Sequence, residues 1–515
     1  MIKVESSCRG LAMCACKNLI KSLIIVAISL AISTNENLAA IANKKAVTSK
    51  VNNSSAPSKR AVSKVHSEKT EEENNYPFMT VPNKFAPVEV AGIRIKNGKA
   101  ILLSFDNKCF TESLPDDFSF SDLNFFTQYP KLISVELSGL ALTREMLENL
   151  IKFLPSGLKG FLVRSCSMED ENYSLLANLI ETHKSISFLS IVMPTLVGKG
   201  VTTTLTAIKS RANLKYFGLT VEELSIDDSN LLADVISNSA QTLHGLSLGW
   251  SKINGKGKNP YQKIFAAISK IKDLKKLEFT ALTLTGNDLE QIAELLKNCK
   301  SLNALKIYFG NLKKLDHVRL FKCTQALQDA LSHLTLLESL DISSMELPSE
   351  EMQLMFETIG PMKNLNILNI SGIALNEKSA QVLSENIKKC RSLATLMANH
   401  CEINPQILSV LFKAVEGSPL RHIYLRGNTI KEGVRSFPIV RLPEARIIDF
   451  SQNGILYEDA RAFIESTKTH PNLYAVNFSG NKEIEDASGV ERTSRNDELA
   501  EWRLKNNLRI LFLGL

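Results

Sequence analysis

Apolar residues recur along this chain in one fixed frame. The stretch Leu365-Asn-Ile-Leu368-Asn-Ile370 sets apolar side chains at its first, fourth and sixth positions, and Ile373 and Leu375 follow. The same frame begins at Leu132, Leu158, Ile186, Leu214, Leu243, Leu274, Leu302, Leu337, Leu365, Leu393, Leu420, Ala445, Leu473 and Leu508, with a weaker copy at Ala100. From Leu132 onward successive starts lie 25 to 35 residues apart, most often 28. A fixed period of this kind marks a repeat architecture, in which each unit buries its apolar face only by stacking on its neighbours. Alternation within the frame predicts a short strand whose first, fourth and sixth residues face a core and whose third, fifth and seventh face outward.

Between the frames the period changes to that of a half-buried helix. Examples are Asp288–Asn298 (Leu289, Ile292, Leu295, Leu296), Ser379–Lys388 (Val382, Leu383, Ile387) and Asp459–Ser466 (Ala462, Phe463). Acidic or amide residues at the starts (Asn287-Asp288, Asn376-Glu377) and Lys297-Asn298 at an end suit the helix dipole and its caps. Upstream of the array, Val88, Val90, Ile93 and Ile95 lead into Asn97-Gly98, and Ile101, Leu103 and Phe105 follow. Asn-Gly between two apolar runs predicts a hairpin, which would cover the open first edge of the stack.

The N-terminal region has a different character. Lys17 and Lys21 precede the apolar run Leu23–Ile32, and Ala40-Ile41-Ala42 supplies a small-x-small site, the parts of a secretory signal. The run is shorter than the roughly 20 residues of a membrane-spanning helix. The expectation is a cleaved leader at 1–42, with an uncleaved membrane anchor at residues 19–33 as the alternative. Residues 43–85 are poor in large apolar side chains, which predicts a disordered linker. An N-terminal cap at 86–131, with the hairpin and the weak first copy, and an array of about 14 repeats at 132–515 complete the expected organisation.

One strand and one helix per 28–29 residues resembles the ribonuclease-inhibitor type of leucine-rich repeat, over roughly residues 100–515. That family carries Asn or Cys at the ninth frame position. Asn428, Asn453, Asn481, Cys166 and Cys401 match, whereas Leu140, Pro194, Gly310, Met345 and Ile373 depart from it, which leaves the turns of those repeats open. The resemblance implies an α/β fold: a right-handed leucine-rich-repeat solenoid, or horseshoe, with a parallel concave sheet and helices on the convex side. It also implies a protein-binding scaffold that uses the concave face.

The outward positions of the early frames are bland: Ser134, Glu136, Ser138; Gly160, Leu162, Arg164; Phe188, Ser190, Val192. The later frames are richer, and Met397, Asn399, His422, Tyr424, Arg426 and Asp449 form the expected binding patch, since Tyr and Arg dominate interface energies. Trp250, Lys276, Lys306 and Tyr308 form a secondary candidate. The plainer reading pairs Arg426 with Asp449, and Lys306 with Glu278, across neighbouring strands.

The other chemistries are weak. The chain has net charge +7, but residues 1–73 supply +5 of it, so the folded part lacks the basic bias of a nucleic-acid groove. Gly198-Lys199-Gly200-Val201-Thr202 has Met193 where a phosphate loop needs its first Gly, and Gly200 where it needs the Ser/Thr directly after Lys199. His400-Cys401 with His422 reads as a turn residue beside a core thiol, not as a metal set. No cofactor, metal or catalytic constellation is expected, and no ligase domain is expected after the frame at Leu508. Six cysteines lie beyond the leader, and Cys299 and Cys390 are three repeats apart, too far to bridge. Unpaired thiols sit awkwardly with an oxidising destination, which an exported chain acting in another cell's cytosol would resolve. The expected function is therefore a non-catalytic scaffold, exported as a bacterial effector or surface protein that binds a host protein. The alternative is a regulator similar to the Ran GTPase activator, although no motif of that protein can be matched. Self-association through the C-terminal sheet edge is a third option.

Overall fold

A computed structural model describes residues 132–254, 261–281, 284–309 and 316–481, together with the strand backbones Val90–Lys96, Lys99–Ser104, Cys109–Phe110 and Leu511–Leu513. The chain divides into two units, Met1–Lys84 and Phe85–Leu515. The expected leader and linker lie outside the described residues. The second unit is a leucine-rich-repeat solenoid.

Its main sheet has 17 strands. From Val90–Lys96 onward, each strand pairs in parallel with the strand of the next repeat. The fourth frame positions stay in register: Leu277 faces Leu305, then Leu340, Leu368, Leu396, Ile423, Ile448 and Val476. Holding register keeps every inward residue on one face, because a slip of one position would turn them all outward.

Two expected frames need correction. Lys99–Ser104, which holds the copy at Ala100, is no rung of the parallel stack. It runs antiparallel to Val90–Lys96, with Lys96 opposite Lys99 across Asn97-Gly98. The first parallel rung is Val90–Lys96 itself, whose Ile93 faces Val135. Val90, Ile93 and Ile95 satisfy the same apolar spacing, 42 residues before Leu132, a gap that hides the match from a search near 28. At the other end Val476 faces Phe512, whereas a frame starting at Leu508 would place Leu511 there.

Helices return the chain between rungs. Those expected from Asp288, Ser379 and Asp459 span Gly286–Asn298, Glu377–Ile387 and Tyr457–Ser466. Each starts two residues earlier than the apolar stripe suggests, because the cap lies outside it. Thr285 caps the first, and its Oγ1 accepts the Asp288 N–H while the Asp288 carboxylate accepts the Thr285 N–H at 2.7 Å. Such a box satisfies two otherwise orphaned donors. Asn376 and Ser379 form the same box. The shortest repeat, between Leu420 and Ala445, has room only for the 3-10 turns Lys431–Ser436 and Ile439–Arg441 around Pro438.

One frame position, the eighth, divides the repeats into two kinds. In eight repeats it holds Gly139, Ser165, Ser344, Gly372, His400, Gly427, Gln452 or Gly480, every one at positive φ between 49° and 75°. This left-handed turn ends the strand and swings the ninth residue into the core, so Cys166, Met345, Ile373, Cys401, Asn428, Asn453 and Asn481 are buried. In the repeats from Ile186, Leu214, Leu243 and Leu302 the eighth residue is Met193, Val221, Trp250 or Phe309, and all four are buried. In the repeats from Leu214, Leu243 and Leu302 the strand reaches or passes this position, and alternation carries the eighth residue inward after the fourth and sixth, whereas in the Ile186 repeat the strand Phe188–Val192 stops at the seventh and Met193 enters the core just beyond it. Two of these strands, Tyr216–Ser225 and Gly245–Asn254, reach ten residues, against three for each strand from Ser339–Asp341 to Ala475–Asn477.

The buried ninth residues tie the turns together. Asn428 Oδ1 accepts from the N–H of Cys401 at 2.8 Å and of Ile403 at 3.0 Å, while its Nδ2 donates to the carbonyls of Ala398 and Leu425. Asn481 serves Asn453, Ile455, Phe450 and Phe478 in the same way. Cys401 reproduces the donating half, with Sγ 3.2 Å from the Ile370 carbonyl.

Candidate protein-binding face

The concave sheet displays the third, fifth and seventh residue of every frame. In the C-terminal repeats, pairing sets Thr395, His422 and Ile447 in one row and Met397, Tyr424 and Asp449 in the next. The expected patch divides on inspection. Met397 is only 5% exposed and belongs to the floor, so it leaves the patch. Asn399 is half-buried and its Oδ1 accepts the Arg426 backbone N–H at 2.9 Å, a sheet-edge role. His422 is half-buried with Nδ1 3.3 Å from Thr395 Oγ1. Burial, then the charges of Arg446 and Arg421, holds its pKa below the usual imidazole value. Burial, helped by Tyr474 and Asp449, pushes the Tyr424 phenol up. Both rings are therefore neutral near pH 7.

Arg426 is exposed and does not close onto Asp449. Its Nε donates to Gln452 Oε1 at 3.3 Å, while Asp449 Oδ1 accepts the Ser451 N–H at 2.8 Å. Tyr474, 48% exposed, adds a second aromatic residue two rungs from Tyr424. It occupies a second frame position, at the rim, and a reading confined to odd positions misses it.

The secondary patch is largely internal. Trp250 is 2% exposed because its strand continues past the seventh position. It stacks on Tyr261 at 5.9 Å and meets Phe279 edge-on. The expectation that it faces a partner is corrected. Lys276 Nζ lies 2.8 Å from Glu278 and 5.9 Å above the Tyr216 ring, and Ser247 Oγ donates to Glu278 at 2.7 Å. Burial would raise the Glu278 pKa, but Lys276 and Ser247 outweigh it and hold it low. Lys306 pairs with Asp341 at 3.4 Å, on the neighbouring strand opposite that of the expected partner Glu278. Tyr308 is half-buried, and burial with nearby Glu346 raises its phenol pKa. Charges already matched at close range gain little from a partner.

The early repeats, bland in sequence, are not bland in space. Phe188 stands 47% exposed on the concave face, and Ile133 is exposed nearby. A depression of about 280 Å³ between them is lined by Ile133, Ser134, Lys159, Gly160, Leu162, Phe188 and Tyr216.

Other sequence candidates resolve as structure. Gly200, in the loop-like Gly-Lys-Gly, gives room to the buried Tyr173 ring, where a Cβ would stand 2.6 Å from a ring carbon. The described cysteines Cys166, Cys299, Cys323, Cys390 and Cys401 are all buried and unpaired. Burial pushes the thiols of Cys299 and Cys390 up to about 11 and that of Cys401 up to about 12. His400 is exposed while Cys401 faces the core, so the two do not share a site.

The frame, the in-register parallel rungs and the returning helices define the fold class: a leucine-rich-repeat solenoid. No family model matches the chain. No curated protein matches it either. Among solved structures the chain is similar to the complex of Rad7 and Elc1 in yeast, at 14% identity and a TM-score of 0.40, covering 68% of this chain and 77% of that one. It is also similar to the complex of TLR13 with ssRNA13, at 15% identity and a TM-score of 0.32, covering 68% of this chain and 51% of that one.

Proposed function

We propose that this chain is a non-catalytic scaffold that is exported from its cell and binds a host protein on its concave face, through His422, Tyr424, Arg426, Asp449 and Tyr474. The observation that carries the reading is half-buried Tyr424 in register between Met397 and Asp449, with Arg426 exposed on the same rung and Tyr474 exposed two rungs away, on a floor of three-residue rungs. Rings and a guanidinium on rigid backbone give large contact area with little entropy lost on binding. The leader pattern supports export, and five buried, unpaired thiols suit a final site in a reducing cytosol.

The test is capture from host-cell lysate by the full chain, beside a Tyr424→Ala/Arg426→Ala variant whose fold is checked by circular dichroism. A partner held by the wild type and lost by the folded variant supports this site. A partner held equally by both places the site elsewhere on the solenoid. Export has its own test: N-terminal sequencing of the secreted chain should begin at Asn43, and an intact chain recovered in membranes would replace the leader with an anchor at 19–33.

A further inference from the structure

We propose that the depression at Gly160 is an anchor pocket for one large apolar side chain of an acidic peptide segment, such as a loop or tail of the partner. The proposal rests on the scaffold reading and specifies a second site within it.

The pocket arises from backbone order. Gly160, Phe188 and Tyr216 occupy the third frame position in three successive rungs, and Ser134 precedes them. Gly160 keeps the floor low between Phe188 and Ser134, whose Cβ lies 2.9 Å from where a Gly160 Cβ would stand, and the depression over it is lined by Phe188 and Ile133. The gap opens to solvent, and Phe188 and Ile133 on it remain 47% and 40% exposed. An apolar cavity of about 150 Å³ holds a benzene ring. A volume of about 280 Å³ therefore admits one aromatic or leucine side chain, and is at the small end for a cofactor.

Charge decides what flanks that anchor. Lys159 and Lys215 are exposed at second frame positions, two rungs apart, on either side of Phe188, and Lys184 is exposed before the rung between them. Rungs are about 4.8 Å apart, so the two lysines are spaced about 10 Å. No described carboxylate is paired with Lys159, Lys184 or Lys215, whereas Lys276 and Arg164 have Glu278 and Glu136. An apolar slot with an unneutralised cationic rim is complementary to acidic residues around an apolar one. Addition of a strand is excluded as the mode of binding, since the rungs here are paired on both sides. Side chains must make the contact.

The experiment is fluorescence anisotropy of the full chain with a capped, labelled hexapeptide of five acidic residues around one phenylalanine. Phe188→Ala, and separately Lys159→Glu/Lys215→Glu, should each weaken binding about tenfold or more, with circular dichroism unchanged. Replacing the peptide's phenylalanine by alanine should do the same, and raising salt should weaken the wild type. Tyr424→Ala, at the other patch, should leave peptide affinity as it is. The proposal is overturned if the peptide fails to bind, if the alanine peptide binds equally well, or if Phe188→Ala has no effect. It is also overturned if the lysine pair proves to bind phosphatidylserine vesicles and no peptide, or if Phe188→Ala abolishes self-association instead. Loss of peptide binding with lysate capture still dependent on Tyr424 would sink this pocket and leave the scaffold. Capture unaffected by Tyr424→Ala/Arg426→Ala and lost with Phe188→Ala, with the peptide bound by the wild type, would sink the Tyr424 patch and keep the pocket.

Discussion

The C-terminal repeats and the middle repeats use one apolar frame and end their strands in opposite ways. From Leu337 to Leu473 the eighth residue turns left-handed, the strand stops at three residues and the ninth side chain enters the core. In the repeats from Ile186, Leu214, Leu243 and Leu302 the eighth residue is a large apolar group that enters the core itself. In the first solution the eighth N–H still donates to the next rung, as His400 does to the Arg426 carbonyl, and a buried Asn or Cys serves the turn in the repeats that carry one. The second extends the sheet ladder and satisfies the backbone polar groups there. The Gly160 pocket sits where the eighth residue changes from one kind to the other, between the left-handed Ser165 and the buried Met193 of the Ile186 repeat. A solenoid can thus alter its binding surface by changing one position of its period while the inward positions stay as they are.

That comparison breaks most visibly at Trp250. Trp250→Ala removes a ring packed on Tyr261, Phe279 and their neighbours, and should cost about 3–5 kcal/mol, as large aromatic truncations in cores do. Hydrogen exchange should accelerate over residues 243–281 and leave the C-terminal rungs protected, because each repeat leans mainly on its neighbours. Wild-type stability in this variant would mean that Trp250 is not the inward residue of an extended strand. Asn428→Ala attacks the other solution. It strands two N–H groups and two carbonyls in the interior, and the expected cost is about 2–4 kcal/mol. Its signature is faster exchange of the Cys401 and Ile403 amides specifically. Uniform loosening across the array would show that the asparagine is ordinary filling.

The sequence makes the repeat class plain because the apolar frame is dense and periodic, and each core position needs only an apolar residue of fitting size. It makes the C-terminal turns legible too, since Asn428, Asn453 and Asn481 announce them by residue type. Trp250 misleads for a physical reason. A frame of fixed length assumes that every strand ends after the seventh residue, whereas a bulky apolar eighth residue, in place of Gly, Ser, His or Gln, signals that it continues. Val221, Trp250 and Phe309 carry that signal, against Gly372, Gly427 and Gly480 where the strand has stopped. Met397 was misplaced because facing the concave side does not imply exposure when neighbouring rungs stand so close. Phe188 and Gly160 looked bland because each was weighed within its own repeat. Their pocket exists only across rungs, a relation set by register.

The smallest effects test whether the left-handed turn alone separates the two kinds of repeat. Gly427 has φ of +69°, and an added Cβ would fall 2.2 Å from two ring atoms of His400. Gly427→Ala should cost about 1–2 kcal/mol for the left-handed backbone, plus whatever moving the exposed His400 ring requires. His400 is itself left-handed at φ +54° without being glycine. Its backbone is strained in the native state, so His400→Gly should stabilise the chain by about 0.5–1 kcal/mol, offset in part by the freer unfolded chain. The two changes share one contact, so they should couple. In the His400→Gly background the ring is gone, and Gly427→Ala should cost only its backbone part. Urea midpoints for the four chains measure that coupling. A double variant that equals the sum of the singles within about 0.4 kcal/mol would show that the ring already stands aside. The turn would then be held by backbone conformation alone. A clear shortfall would show instead that successive eighth positions lean on one another, so that turns favour turns in the next repeat. The unbroken run of left-handed turns from Ser344 to Gly480 would then have a physical cause.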